Sequence, residues 1–287
     1  MEFEPPLIEV FKNLCKTSSE NDHVAELINS SRSKSYELPL VDLGRLNSGQ
    51  LMQQKECEKE IIEASKEWGF FQVVNHGICE EMLMELHEEQ VKLFRQPFNK
   101  KSSQNPSNSP IGSYRWGNLA AKSPAQFSWS EAFHIPVSSV SDFAGLNHLR
   151  YPPIPEFHSE VCGLVAHTDT SYLTILHQNK TGGLEMKKDG MWISVKPNPD
   201  ALVINIGDLF QVLSNGFYKS VTHRVLTNSK TERFSVAYLS CPTTDTVIRS
   251  LSEHSIYRDF SFGEFKSQVQ LDVKYTGNKI GLPGFLR

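Results

Sequence analysis

Leu173-Thr174-Ile175-Leu176, Trp192-Ile193-Ser194-Val195, Leu202-Val203-Ile204-Asn205-Ile206 and Phe234-Ser235-Val236-Ala237-Tyr238 are short apolar runs set apart by Gly, Pro, Asn and Asp. Runs of this length, rich in β-branched and aromatic residues and bounded by turn formers, read as strands. No helical period intervenes between them, so they are not βαβ units. From Tyr151 to about Ile248 the spacing predicts a sandwich or barrel. A double-sheet jelly roll is one such fold, and it brings strands distant in sequence back opposite one another.

The flanks read differently. Residues 1–36 are polar and weakly patterned. Glu37 to Leu43 reads as a short strand with Pro39 near its entry. A helix is predicted over 55–68, because Cys57, Ile61, Ala64, Ser65 and Trp68 fall on one stripe. Gly69 ends it, Phe70-Phe71-Gln72-Val73-Val74 reads as a buried strand, and Asn75-His76-Gly77 as a turn. A second helix is predicted over 80–95, with Leu83, Leu86, Leu93 and Phe94 inward. Residues 97–128 are rich in Ser, Asn, Pro and Gly, which predicts a long surface segment. Ser261 with Glu264 three residues on is a capping box. The helix it opens places Phe262, Phe265, Val269 and Val273 inward. The chain thus divides into an N-terminal α/β region (1–134), a short connection (135–150), a jelly-roll core (151–250) and a C-terminal helix and tail (251–287).

Composition narrows the function classes. The 287 residues are 39% hydrophobic and 22% charged, as expected of a globular chain. Net charge is −4 with no basic stripe, so a nucleic-acid surface is not expected. No run of eighteen apolar residues suggests a membrane span, and the start has no basic n-region of a secretory signal. Five scattered cysteines without a CxxC pair point to a reducing compartment rather than a disulfide framework. The expected location is the cytoplasm, with nuclear entry open. No obligate protein partner is expected.

His167-Thr168-Asp169, His223 and Arg233-Phe234-Ser235 carry the chemistry. Residues two apart on a strand, or at its end, share a face. His167, Asp169 and His223 would then offer two imidazoles and one carboxylate to one face of a metal. That set leaves other positions open and suits non-haem iron(II) and oxygen. Arg233 and Ser235 also share a face. A guanidinium grips a carboxylate through two parallel hydrogen bonds, so the pair suits the far end of a 2-oxo diacid whose keto end meets the metal. Arg233 is therefore the candidate catalytic and co-substrate-binding residue. One His-x-Asp triplet among ten histidines marks nothing alone, and a lone Arg is more often half of a surface ion pair. The combination, in this order and strand context, is what is specific.

With those residues in hand, the chain resembles the plant 2-oxoglutarate- and Fe(II)-dependent dioxygenases, and within them the gibberellin 2-oxidases acting on C20 gibberellins. The likeness includes the stretch Trp68 to Gly77, shared by the superfamily. Gly112-Ser113-Tyr114-Arg115-Trp116-Gly117 and Trp129-Ser130-Glu131-Ala132-Phe133-His134 resemble the gibberellin branch more particularly. Val195 to Leu202, Ile206-Gly207-Asp208-Leu209-Phe210-Gln211 and Gly281 to Leu286 complete it. The resemblance implies iron held by His167, Asp169 and His223, and 2-oxoglutarate held by Tyr151, Arg233 and Ser235, with ascorbate as a reductant. It implies β-face hydroxylation of a gibberellin at C2, which inactivates the hormone. Tyr114, Arg115, Trp116 and Phe133 become candidates for the substrate wall, with Arg115 facing the substrate carboxylate. The chain departs from the family in two ways. Leu149 stands where Asn is usual before Tyr151, and only Ile135 to Arg150 join two motifs that relatives separate by several dozen more residues. Those residues include helices that pack against the barrel, so truncated helical support is expected here. The alternative readings are hydroxylation of another plant metabolite, such as a flavonoid, or a catalytically impaired shortened isoform.

Overall fold

A computed structural model describes residues 2–17, 35–103, 113–136, 144–154 and 161–287. Residues 18–34 of the polar N-terminal stretch, 104–112 of the Ser/Asn-rich segment and 137–143 of the short connection lie outside them. In chain order the elements are α1 (Leu7–Thr17), β1 (Ser35–Tyr36), β2 (Leu40–Asp42), α2 (Leu51–Glu67), β3 (Phe70–Val74), α3 (Glu80–Phe94), α4 (Phe98–Ser103), β4 (Ser113–Trp116), β5 (Glu131–Pro136) and β6 (Gly145–Tyr151). Then come β7 (Cys162–His167), β8 (Leu173–Gln178), β9 (Leu184–Lys188), β10 (Met191–Val195), β11 (Leu202–Ile206), α5 (Asp208–Leu213), β12 (His223–Leu226), β13 (Arg233–Ser240), β14 (Val247–Ile248), β15 (Phe260–Ser261) and α6 (Phe262–Thr276).

Two sheets face each other. The larger has eight strands in the order β2-β3-β11-β8-β13-β6-β5-β4, and the smaller has five in the order β1-β10-β9-β12-β7. Between β6 and β13 the chain steps repeatedly from one sheet to the other, which makes this a jelly-roll core. Strands β1–β5 extend both sheets, so the sheets draw on both sides of residue 151.

The period of two decides what lies between the sheets. Tyr151, Leu184, Met186, Ile193, Val195, Val203 and Val225 form the inner core with Leu38 and Phe70. Gly163 is needed beneath Tyr151, because a Cβ there would stand 2.7 Å from the Tyr151 ring. On the outside, α2 packs Cys57 and Ala64 against Val41, Phe71, Val73 and Leu202. The helix α3 brings Phe94 to Tyr114, Phe133 and Phe234. Ser261 caps α6, its hydroxyl accepting from the Glu264 amide at 3.0 Å, while the Glu264 carboxylate pairs with Arg258 at 2.7 Å.

Two stretches are better packed than their composition suggests. The weakly patterned N-terminus contains α1, whose Leu7 and Phe11 are buried against Phe127 and Trp129. Side chains of this size contribute roughly 1.5–3 kcal/mol each when fully buried. The segment 97–128, read as surface, carries α4 and β4 and buries Tyr114 and Phe127. Its polar residues dominate the count, but a few aromatics anchor it. The connection from β5 to β6 is short, and Ile175 on β8 is 36% exposed.

Candidate functional site

The register of one strand pair builds the centre of the site. β12 runs antiparallel to β7 with His223 directly opposite His167. Asp169 follows β7 by two residues and turns back toward both. The three donor groups lie within 4.8 Å of one another, and among the described residues no other His, Cys, Asp and Glu group meets that standard. Nε2 of His167 is 3.5 Å, and Nε2 of His223 3.7 Å, from Oδ1 of Asp169.

Each donor is oriented by a second contact. Nδ1 of His167 lies 2.8 Å from the Val165 carbonyl, and Nδ1 of His223 lies 3.1 Å from that of Val221. A carbonyl only accepts, so each Nδ1 carries the proton and each Nε2 presents a lone pair to the shared space. Burial, with the neighbouring His167, pushes the His223 imidazole down to about 4, so it is neutral near pH 7. Oδ2 of Asp169 accepts from the Thr174 hydroxyl at 2.6 Å and the Asn205 amide at 2.8 Å, which leaves Oδ1 facing the two imidazoles. Burial opposes its charge, but His223, His167 and Thr174 together hold the carboxyl well below the usual range. Two imidazoles and one carboxylate, all aimed at one point, fit a divalent ion of the iron(II) class.

Across the gap, β13 supplies a cation. Arg233 is 2% exposed, and no carboxylate pairs with it among the described residues. It donates to Oγ of Ser235 at 3.0 Å and to Oε1 of Gln178 at 2.9 Å, and its guanidinium lies 4.8 Å from the centre of the Tyr151 ring. Nε of Arg233 and Nε2 of Gln178 are buried without a partner. A buried guanidinium with spare donors and no anion is a receptor for one. Tyr151 pairs with Arg233, and Leu149 with Ser235, across β6 and β13. The departure at Leu149 therefore falls beside the clamp.

These residues share one cavity of about 470 Å³, which His167, Asp169, His223, Arg233, Ser235 and Tyr151 all line. Leu149, Leu164, Leu176 and Val225 make much of its wall apolar. Arg115 and Trp116 also line it. Arg115 is solvent-exposed by its surface, yet the protein packed around it still lowers the pKa of its guanidinium.

Tyr114 and Phe133 do not line this cavity. They pair across β4 and β5, pack with Phe94 and Phe234 beneath α3, and the Tyr114 hydroxyl donates to Glu131 at 2.6 Å. Arg115 and Ala132, one step along each strand, face the cavity instead, and Trp116, which shares the parity of Tyr114, reaches it from the end of β4 while also packing on the Tyr114 cluster. Val269, Val273 and Lys279 line it too, and the sequence reading assigned them no role there. The period of α6 marked the two valines as inward; nothing local marks the lysine. A second cavity of about 660 Å³ lies between α3 and the β8–β13 pair, lined by His87, Gln90, His177 and Phe234. It touches the first only through Ser235, whose carbonyl accepts from Gln90 at 2.8 Å.

Comparison with known proteins agrees with this architecture. Residues 142–242 match the model of the 2OG-Fe(II) oxygenase superfamily, and residues 38–154 that of the N-terminal region of non-haem dioxygenases in morphine synthesis. Gibberellin 2-beta-dioxygenase 8 of Arabidopsis thaliana is 44% identical, with 99% of this chain and 98% of that protein covered. Gibberellin 2-beta-dioxygenase 6 of Oryza sativa subsp. japonica is 38% identical, with 99% and 96% covered. The first alignment runs over 337 positions against the 287 residues here, so the relative carries residues that this chain lacks. A crystal structure of JOX2 in complex with 2OG, Fe and JA superposes with a TM-score of 0.71 at 27% identity, covering 92% of this chain and 97% of that one.

Proposed function

This chain belongs to the 2OG-Fe(II) oxygenase superfamily and, within it, to the gibberellin 2-beta-dioxygenases, and we propose that it hydroxylates a gibberellin at C2 on the β face, inactivating the hormone. Iron(II) and 2-oxoglutarate supply the oxygen chemistry when bound, and the co-substrate leaves as succinate and carbon dioxide. On this reading His167, Asp169 and His223 hold the metal. Arg233, Ser235 and Tyr151 would hold the distal carboxylate of 2-oxoglutarate, leaving its keto end for the metal. Fixing the reactants in this way removes much of the entropic part of the barrier.

The observation that carries the substrate class is Arg115. It lines a largely apolar cavity that also holds the proposed metal ligands, and it has no hydrogen-bond or ion-pair partner in the described structure. A gibberellin is an apolar diterpenoid with a carboxylate, and such a cavity with a cation besides Arg233 suits it. Arg115→Ala should raise the Michaelis constant for the gibberellin by about tenfold or more, the scale of a lost charge-assisted hydrogen bond. Turnover of 2-oxoglutarate without substrate should not change. An unchanged Michaelis constant in a steady-state assay of succinate release would remove Arg115 from the site. A substrate panel that includes flavonoids separates this reading from a hydroxylase of another plant metabolite.

Arg233 has a sharper test. Arg233→Gln keeps a polar side chain but removes the buried charge. Truncating a buried, hydrogen-bonded charge pair costs about 2–5 kcal/mol, or roughly 30-fold or more in affinity. The dissociation constant for 2-oxoglutarate, measured by titration calorimetry with the metal present, should rise by at least that factor. Iron binding should be retained. The place of action proposed is the cytosol, in keeping with five free cysteines and with no described helix long and apolar enough to cross a membrane.

A further inference from the structure

Lys279 stands in the tail beyond α6, yet its ammonium reaches the turn that carries two of the proposed metal ligands. Its Nζ donates to the carbonyl of Thr168 at 2.9 Å and to Oδ2 of Asp208. Thr168 lies between His167 and Asp169. Asp208 also accepts from the Thr168 hydroxyl at 3.3 Å, and its own amide donates to the Asp169 carbonyl at 2.9 Å. Three groups of the His167–Asp169 turn are therefore tied to one lysine–aspartate pair. The pair is buried, with side chains 9% and 3% exposed.

The tail is itself held in place. Oδ2 of Asp272 on α6 accepts from the amides of Ile280 and Gly281 at 3.1 and 3.2 Å, and its Oδ1 accepts from Gln268 at 2.8 Å. Leu282 and Phe285 pack into the cluster of Leu209, Val212, Phe262 and Phe265, which fixes the tail to both α5 and α6. Gly207, just before α5, has no room for a side chain: a Cβ there would stand 2.1 Å from the Ser171 carbonyl. The start of α5 thus lies hard against the segment that follows the ligand turn.

We propose that Lys279 is a positioning residue, the end of a C-terminal latch that holds the His167–Asp169 turn in the geometry a metal needs. The proposal rests on reading His167, Asp169 and His223 as the metal ligands, but not on the gibberellin. Lys279 lines the cavity, so a direct substrate role is the rival. Its ammonium is already paired with Asp208, which makes it a poorer anchor for a substrate carboxylate than Arg115.

The test uses the full chain stripped of metal and titrated with cobalt(II), whose ligand-field spectrum reports coordination geometry. Lys279→Met keeps the chain length and removes the charge. It should weaken cobalt affinity by about 10–100-fold, the range for groups that orient metal ligands, and alter the ligand-field bands. Circular dichroism should stay unchanged. Asp208→Asn should shift both readouts in the same direction, and the double variant should lose less than the two singles together, because both act through Thr168. If Lys279→Met does not fold, Lys279→Gln serves, since it retains a donor of shorter reach and should fall between the wild type and Asp208→Asn. Wild-type cobalt affinity with unchanged bands in Lys279→Met, or in Lys279→Gln where that variant serves, would overturn the proposal. So would an effect confined to the Michaelis constant for the gibberellin. A wild-type chain that binds no cobalt would overturn the metal reading and this inference with it, whereas failure to turn over gibberellin would leave this inference standing.

Discussion

An Asp169→Ala chain should fold and fail to retain iron. The carboxylate is the only anionic member of the proposed ligand set, and both flanking imidazoles are aimed at the point it shares. Changing a group that merely orients a ligand lowers metal affinity by about 10–100-fold, so removal of the ligand itself should exceed the top of that range. Metal content after dialysis and 2-oxoglutarate-dependent oxygen uptake should both fall to background. The fold should suffer less. The Thr174 hydroxyl and Asn205 amide lose their acceptor, which costs about 1–3 kcal/mol for each donor left dry. Loss of a buried negative charge offsets part of that in the metal-free protein. A protein that kept its iron and its turnover would show that the three residues are not the centre.

The largest stability effect should come from Glu131, on the far side of the larger sheet. It is fully buried, and its carboxylate accepts from Arg150, Lys101 and the Tyr114 hydroxyl. Arg150 in turn binds Glu4 and Glu232, so one network ties the N-terminal residues and α4 to β5, β6 and the turn before β13. Burial lowers the pKa of Lys101, and the charge of Glu131 is the main force opposing that. Glu131→Gln would leave Lys101 and Arg150 short of a counter-charge. Breaking one partner of a buried pair costs about 3–5 kcal/mol, against a total margin of about 5–15. At about 2 °C per kcal/mol for a chain of this size, the melting temperature should drop by about 6–10 °C. Metal affinity measured below the transition should not change, because no donor group is touched. A variant melting with the wild type would show that the network is neutral.

The sequence was most legible where period and chemistry coincide. The apolar runs after Tyr151 became strands, and spacing alone set His167 beside Asp169, and Arg233 beside Ser235. The helix over 55–68 was recovered with its buried face, because Cys57, Ala64 and Ser65 repeat at helical spacing. What could not be read depends on contacts between distant segments. Lys279 is 111 residues from Thr168, and no local pattern links them. The direction of Tyr114 and Phe133 depends on which face of β4 and β5 is roofed by α3. Strand parity says only that they oppose Arg115, not which set meets the cavity. Glu131 stands in a motif that marks the gibberellin branch, and nothing in that motif shows that its acidic residue serves the scaffold. The 97–128 segment was misjudged because its composition is an average, whereas a few aromatics at the right places are enough to bury a loop.

The unpaired guanidinium of Arg233 has a consequence for the order of events in turnover. 2-Oxoglutarate and succinate carry the same distal carboxylate, and a clamp that reads only this end treats reagent and spent product alike. On the proposed reading, what separates them is the keto group, which succinate no longer has to offer the metal. Succinate would therefore be held at β13 by one end only, and fresh co-substrate, which can hold the metal as well, would displace it. Clearing the site between cycles would then be an exchange of dicarboxylates at Arg233, at a distance from the bond being oxidised.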